Sequence, residues 1–269
     1  MEYQGYKIQP LNENIYKKEY DISDLKENEY LIVEDEEGNA VDYYRKENGI
    51  LVQVRYPVIE SNFAGQIKPR NPQQYCAMDL LKNNNIPVKL LTGCFGSGKS
   101  MLCIDAALEQ IQKGNFEKII FIRNNVQVKD TDQLGALPGS EDQKMLPYVM
   151  PMCDHCGGIE GVRTLMEQGK LEVIPLGFLR GRSICNSILY SMESENLTKE
   201  HIQLLIGRVD KGTHLWLDGD IKQRDRIAFE ISKGLEIMVE RLSGNHLFGY
   251  INLIKSERSE VAALADLLD

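Results

Sequence analysis

A chain of 269 residues with a net charge of −9 and a pI near 5.1 has room for one large domain or two unequal ones, with apolar content sufficient for a real core. That balance excludes a basic coat for nonspecific nucleic-acid binding, although it leaves room for a local basic groove. No apolar run is long enough to span a bilayer and the amino terminus lacks a hydrophobic signal region. With six scattered cysteines, the expectation is a cytoplasmic protein, off the membrane, with reduced thiols.

Residues 1–62 are rich in Tyr, Val, Ile, Glu and Asn in short alternating runs. Tyr30 to Val33, Val41 to Arg45 and Ile50 to Val54 read as strands, separated by Glu36-Glu37-Gly38-Asn39 and Glu47-Asn48-Gly49. Gly and Asn supply the positive φ that tight hairpins require, so the pattern predicts a small antiparallel β unit. Such a unit is too small for a large core of its own and is expected to dock on the rest, as an appendage or with a role of its own.

Residues 63–269 form the second expected domain, in which the pattern after Pro69 changes to strand alternating with helix. Val88 to Leu91 reads as a strand. The helix after it carries Met101, Ile104, Leu108 and Ile111 at a 3,4,3 spacing that puts them on one face, and it stops at Gly114-Asn115. Ile119 to Ile122 and Leu171 to Leu176 are further strands. Ile188-Leu189-Tyr190 precedes a helix capped by Thr198, with Ile202, Leu205, Ile206 and Val209 inward. His214 to Leu217 and Phe248 to Ile251 supply later strands, and Ser259 to Leu268 a closing helix. This alternation predicts an α/β fold with a mostly parallel sheet covered on both faces.

Between the first of these strands and its helix stands Gly93-Cys94-Phe95-Gly96-Ser97-Gly98-Lys99-Ser100, which meets the phosphate-loop pattern G-x-x-x-x-G-K-[ST] in full and in the required context. Its glycines let backbone N–H groups converge on phosphate oxygens, and the helix N-terminus adds its positive dipole end. Lys99 is placed to reach the β and γ phosphates, and the Ser100 hydroxyl to ligate Mg²⁺. A nucleoside triphosphate, ATP first among them, is the expected ligand.

Several further segments resemble one family together. From Ile67 onward the chain is similar to the ATPase part of PhoH-family proteins, in particular the form fused to PIN ribonuclease domains; no PIN segment is present. Lys68 to Gln74 looks like the family's stretch ahead of the phosphate loop, and the resemblance implies that Gln74 contacts the adenine edge. Leu134-Gly135-Ala136-Leu137-Pro138-Gly139, followed by Lys144 and Pro147-Tyr148, resembles its L-G-x-L-P-G turn. Leu179-Arg180-Gly181-Arg182 matches its R-G-R element, Gly219 to Asp225 its G-D-x-x-Q-x-D, and Lys255 to Glu260 its basic segment. Asn28-Glu29-Tyr30 resembles the linker between the fused domains. The resemblance implies a RecA-like P-loop core related to superfamily 1 helicases, with ATP and Mg²⁺ as cofactors. It also implies hydrolysis coupled to single-stranded RNA and a homo-oligomeric ring, six subunits being one such size.

Two positions depart from the family. Counting on from Arg182, its D-E-A-Q-N falls on Met192-Glu193-Ser194-Glu195-Asn196, so a thioether stands where an aspartate would hold Mg²⁺, which prefers hard oxygen ligands. The residue before Gly219, usually threonine, is Asp218. Either Asp218 brings a carboxylate to the metal in place of the missing one, or it pairs with a nearby cation. By the same resemblance Glu193 is the candidate general base, Gln223 the γ-phosphate sensor, and Arg258, with Arg123 behind it, the group that neutralises transition-state charge, within the subunit or across a subunit boundary.

Weaker signals remain. Cys153-Asp154-His155-Cys156 has metal-like spacing but no second pair, so two unpaired thiols are expected. Cys94 in the loop is open to oxidation or simply fills space. Arg180 and Arg182, with Lys144 and Arg163, line either an RNA surface or a subunit contact. Three functions follow: an RNA-directed ATPase; a hydrolysis-deficient, ATP-gated assembly module, motivated by Met192; and a small-molecule kinase. The third lacks an arginine-rich lid late in the chain.

Overall fold

The computed structural model describes residues 3–17, 19–55, 57–123, 149–221 and 233–257. It contains a six-stranded, all-parallel sheet of β7 (Val88–Gly93), β8 (Lys118–Arg123), β9 (Leu171–Pro175), β10 (Ser187–Ser191), β11 (His214–Gly219) and β12 (Phe248–Leu253), in the order β12-β7-β11-β10-β8-β9. Most residues of these strands are buried, as a sheet covered on both faces requires. One face builds a cluster that includes Leu91, Phe121, Tyr190 and Trp216, the other a cluster that includes Leu90, Ile122, Leu189 and Leu217. Adjacent residues therefore serve opposite faces, as the pleat dictates.

Helix α3 (Lys99–Gln112) leaves the end of β7 and lies on the first face. The 3,4,3 spacing predicts one buried side, yet every residue from Leu102 to Ile111 is buried, including Asp105, Glu109 and Gln110. The reason is a third layer. Helix α2 (Pro72–Lys82) and a hairpin of β5 (Ile59–Ser61) and β6 (Gly65–Ile67) cover the helix from outside. Their polar groups meet it: Lys82 of α2 pairs with Glu109, which also accepts from the Glu60 N–H of β5 and pairs with Lys113 at the helix's own C-terminal end.

The N-terminal strands β1 (Tyr6–Pro10), β2 (Tyr30–Glu34), β3 (Ala40–Glu47) and β4 (Ile50–Gln53) form a second sheet in that order. Its two hairpins are antiparallel, and at the β3–β4 turn Asn48 and Gly49 both adopt positive φ, 51° and 76°. The expectation of a purely antiparallel unit is corrected at β1, which pairs parallel with β2. The unit shares its core with the larger sheet. Tyr6, Tyr30, Ile32, Val54 and Ile59 belong to the same apolar cluster as α2 and α3, and the Tyr30 hydroxyl donates to Asp79 on α2 at 2.7 Å. Asn28 adds a polar tie, its amide donating to the carbonyls of His246 and Phe248 at 3.0 and 2.9 Å.

On the outer side of the sheet lie α5 (Lys199–Ile206) and α6 (Gly234–Leu242), while α4 (Gly158–Glu167) packs by β9. Thr198 caps α5 as expected, accepting from the His201 N–H at 3.3 Å, and Ile202 and Leu205 are buried while Ile206 is exposed. Among the described residues no helix is long and apolar enough to cross a membrane.

Candidate functional site

In parallel α/β sheets ligands sit beyond the carboxyl ends of the strands, and there residues 94–98 turn from β7 into α3. Each glycine of the loop has a backbone reason. A Cβ on Gly93 would lie 2.2 Å from the Leu253 carbonyl oxygen of neighbouring β12, and Gly96 and Gly98 have φ of 73° and 88°. Gly98 is the N-cap of α3 without any side-chain cap, so the first N–H groups of the helix face the loop with no protein capping group. Lys99 curls back, its Nζ donating to the Gly93 and Cys94 carbonyls at 2.8 and 2.9 Å. The Ser97 hydroxyl is buried without a hydrogen-bond partner, an orphan polar group in a loop otherwise lined with donors. Phe95 is exposed.

Two segments brace this loop. Gln74, fully inside at the start of α2, donates from its amide to the Ser97 carbonyl at 2.9 Å, and its side-chain oxygen accepts from the Arg70 N–H at 2.9 Å. Both ends of the amide on which the family resemblance puts an adenine contact are thus engaged by backbone. The helix itself starts at a pair that sequence reasoning passed over: Asn71 is the N-cap, accepting from the Gln74 N–H at 2.8 Å, and Pro72 sits at the first turn. On the other side Glu257 donates its N–H to Gly96 and accepts from the Asn71 amide at 2.8 Å. The Cys94 thiol is held toward the Leu253 and Ile254 carbonyls, at 3.7 and 3.5 Å.

The side of the loop where the metal is expected is built by β10 and β11. Asp218 is buried, and its carboxylate accepts from the Tyr190 hydroxyl at 2.9 Å and from the Glu193 N–H at 3.1 Å. Burial pushes its pKa up, while the hydroxyls of Ser100 and Tyr190 and the charge of Lys99 pull it back. The Tyr190 hydroxyl's own pKa is driven upward by burial and by Asp218. Tyr190 and Asp218 thus form a buried pair, with the half-buried Ser100 at its edge. Tyr190 carries no motif signal; it pairs with Trp216, two residues before Asp218, and so shares a face of the sheet with that carboxylate.

Past β10 the chain enters a left-handed residue, Glu193 (φ 51°, ψ 47°), which is exposed, followed by a 3₁₀ turn over Ser194–Asn196. Positive φ at a glutamate costs of order 1 kcal/mol and is sustained only when its surroundings fix it; here the Asp218 carboxylate holds its N–H. Met192 is half-buried against the α3-side core. Glu195 reaches across to β11, accepting the Asp220 N–H at 3.0 Å, and a Cβ on Gly219 would fall 2.7 Å from its carboxylate. Burial raises its pKa to about 7.

Other expected residues lie away from this cluster. Arg182 bonds Glu172 on β9 through both terminal nitrogens at 3.1 Å, and Lys118 shares that carboxylate. Arg180 is exposed, and Arg163 pairs with Glu160 within α4. Cys153 and Cys156 are buried free thiols, and the segment docks on α3 through a hydrogen bond between His155 Nδ1 and Asp105 at 3.2 Å. Among the described residues no three His, Cys, Asp or Glu side chains form a metal cluster. Gln223, Arg258, Leu134 to Gly139, Lys144, Pro147-Tyr148, the Arg123 side chain and the helix expected over Ser259 to Leu268 lie outside the described residues.

Residues 66–265 match the family model described as PhoH-like protein. Among curated proteins, Protein PhoH2 of Bacillus subtilis is 31% identical over an alignment of 292 positions that covers 99% of this chain and 64% of the relative. Protein PhoH2 of Mycolicibacterium smegmatis is 32% identical over 201 residues, 74% of this chain and 46% of the relative. A PhoH-like protein of Bacillus subtilis is 28% identical over 73% of this chain and 59% of the relative. The chain thus spans between about half and two thirds of the length of these relatives. With the family model covering most of the chain and the parallel sheet carrying its phosphate loop at the expected strand end, the chain belongs to the PhoH family of P-loop NTPase-type proteins.

Proposed function

We propose that this chain binds and hydrolyses ATP with Mg²⁺ at the loop Gly93 to Ser100, and that Asp218 serves as the metal-side carboxylate that Met192 does not provide. The observation that carries this reading is the buried Asp218 carboxylate at the end of the strand beside the phosphate loop, held by the Tyr190 hydroxyl and the Glu193 N–H and influenced by the Ser100 hydroxyl and Lys99. The donor set suits the ion: both groups present hard oxygens, and Mg²⁺ is held by one or two carboxylates together with phosphate oxygens and water. Mg²⁺ bound between them would neutralise charge on the β and γ phosphates.

The chain's own groups do the rest. The open N–H groups at the start of α3 bind phosphate oxygens, and Lys99 exchanges its two carbonyl partners for them. Glu193, held in its turn by Asp218, orients the attacking water and takes its proton. Gln74 and Glu257 keep the loop from collapsing when it is empty. Coupling to single-stranded RNA and a homo-oligomeric ring complete the proposal, on the strength of the family resemblance.

Met192 supports a second reading, a hydrolysis-deficient module whose assembly is gated by ATP. ATP turnover measured with and without single-stranded RNA separates the two. RNA-stimulated, Mg²⁺-dependent turnover is the expected result; tight ATP binding with no turnover overturns the first reading and leaves the second, which a mass measurement with and without ATP and Mg²⁺ then examines.

A further inference from the structure

Where strands β3 and β4 of the N-terminal sheet meet the segment leading into α2, they enclose an open groove of about 620 Å³. Tyr43, from β3, and Tyr75, from α2, lie in its lining and stack with centroids 3.8 Å apart and planes 9° from parallel. Both rings are half-buried. Arg55 and Lys68, also in the lining, are exposed, and among the described residues no carboxylate lies within ion-pairing distance of either. The acid of the groove, Asp42, is engaged elsewhere, accepting from the Tyr16 hydroxyl at 2.6 Å and from the Gln53 amide at 3.1 Å.

The stack by itself is explained as an interface contact between sheet and helix. The uncompensated cations beside it are not, in a chain with a net charge of −9. An apolar ligand has no use for two cations, and inorganic phosphate has no use for two rings. A planar ring attached to an anionic backbone uses both, and the groove lies within the size range of small-ligand sites. Aromatic platforms flanked by basic side chains are how single strands are held without sequence preference, the bases stacking and the phosphates lying on the cations. A single ATP already has its phosphates assigned to residues 93–100, so a ligand that also brings phosphates to Arg55 and Lys68 is a polynucleotide.

We propose that this groove binds single-stranded RNA, one base extending the Tyr43–Tyr75 stack and the phosphates on either side contacting Arg55 and Lys68. The proposal rests on the reading of RNA as the ligand class and adds where the strand lies. It also places the strand on α2, the helix whose Gln74 holds the Ser97 carbonyl of the phosphate loop, so RNA and ATP contact two sides of one element.

The test is fluorescence anisotropy of a labelled single-stranded oligoribonucleotide over a salt series, with a fluorescent ATP analogue titrated in parallel. The double variant Arg55→Glu/Lys68→Glu changes two exposed side chains and is expected to lose at least about tenfold in RNA affinity, with the log–log salt slope shallower by about 1.4 for two lost phosphate contacts. Tyr43→Leu is expected to weaken RNA about tenfold at unchanged slope. ATP-analogue affinity stays at the wild-type value in both, which also certifies the fold. If the wild-type chain binds RNA and the double variant binds it equally well with the same slope, the groove is refuted while the RNA reading stands. If the double variant loses the ATP analogue and keeps RNA, the groove belongs to the nucleoside end of ATP and the proposal is refuted. If the wild-type chain binds no RNA, the RNA reading falls and the groove proposal with it.

Discussion

Strands β10 and β11 end side by side at the phosphate loop with exchanged chemistry. Ser191 pairs with Leu217, so one step further along Met192 and Asp218 stand level and, by the pleat, on the same face. The thioether is on β10 and the carboxylate on β11. Since β11 lies between β10 and β7, the acid is one strand closer to the loop than the family position would put it. Neighbouring strands are about 4.8 Å apart, a distance that a small lateral change in approach can absorb. What matters to a bound cation is an oxygen at the right place in space, and adjacent parallel strands offer two chain positions for one such place.

In the proposed function β10 has a different duty, which is to deliver Glu193. If Glu193 orients the attacking water, Glu193→Gln should lower ATP turnover by about 10²- to 10⁴-fold and leave ATP affinity within about twofold, because general-base catalysis acts in the transition state. Single-turnover hydrolysis with a parallel binding titration measures both. Turnover that survives the change intact would move the base elsewhere and reduce the β10 end to a structural turn.

The β11 side is examined by its charge. Asp218→Asn keeps the shape but removes the anion, and should raise the Mg²⁺ concentration for half-maximal turnover by about 10- to 100-fold, the range typical for disturbing groups around a metal site. Met192→Asp in that background returns a carboxylate one strand away and should recover much of the loss. A Mg²⁺ titration unmoved by Asp218→Asn makes Asp218 a partner of Ser100 and Tyr190 and nothing more.

The two halves of the chain differ in how far they can be read without coordinates. The phosphate loop and the strands and helix around it follow from local rules: a motif between an apolar run and a helical pattern has one place to go. Strand β1 did not show itself, because its short run Tyr6 to Pro10 ends in proline and its partner β2 begins 24 positions after Tyr6, at Tyr30; parallel pairing leaves no hairpin signal between. Burial on every side of α3 from Leu102 to Ile111 was likewise invisible. Its apolar spacing describes a face toward the sheet, while Asp105 meets His155 and Glu109 meets β5 and α2, all remote in sequence or missed. Helix α2 was legible in principle from Asn71-Pro72, a cap followed by an N1 proline. At the site, the expectation that Asp218 stands near Ser100 came from the resemblance to RecA-like sheets, whereas Tyr190 and the binding of Gln74 to Ser97 depend on side-chain packing that no spacing encodes.

The smallest effect concerns a second tie from the β10 turn, to the end of β11. Glu195 accepts the Asp220 N–H, and burial raises its pKa from 4.5 to about 7, with Asp218 and Glu193 adding repulsion. A carboxyl whose pKa is higher folded than unfolded binds more protons in the native state between those two values, so its contribution to stability falls as pH rises from about 4.5 to about 7 and stays lost above. Glutamine at this position keeps an oxygen for the Asp220 N–H and carries no charge to bury. Glu195→Gln should therefore leave Tm unchanged near pH 4.5 and raise it by a few degrees, about 3 °C, at pH 8. Melting curves of both chains across that window provide the check. A Tm difference that is the same at every pH would mean that Glu195 stays ionised throughout, and that the β10 turn is tied to β11 by a charged rather than a neutral group.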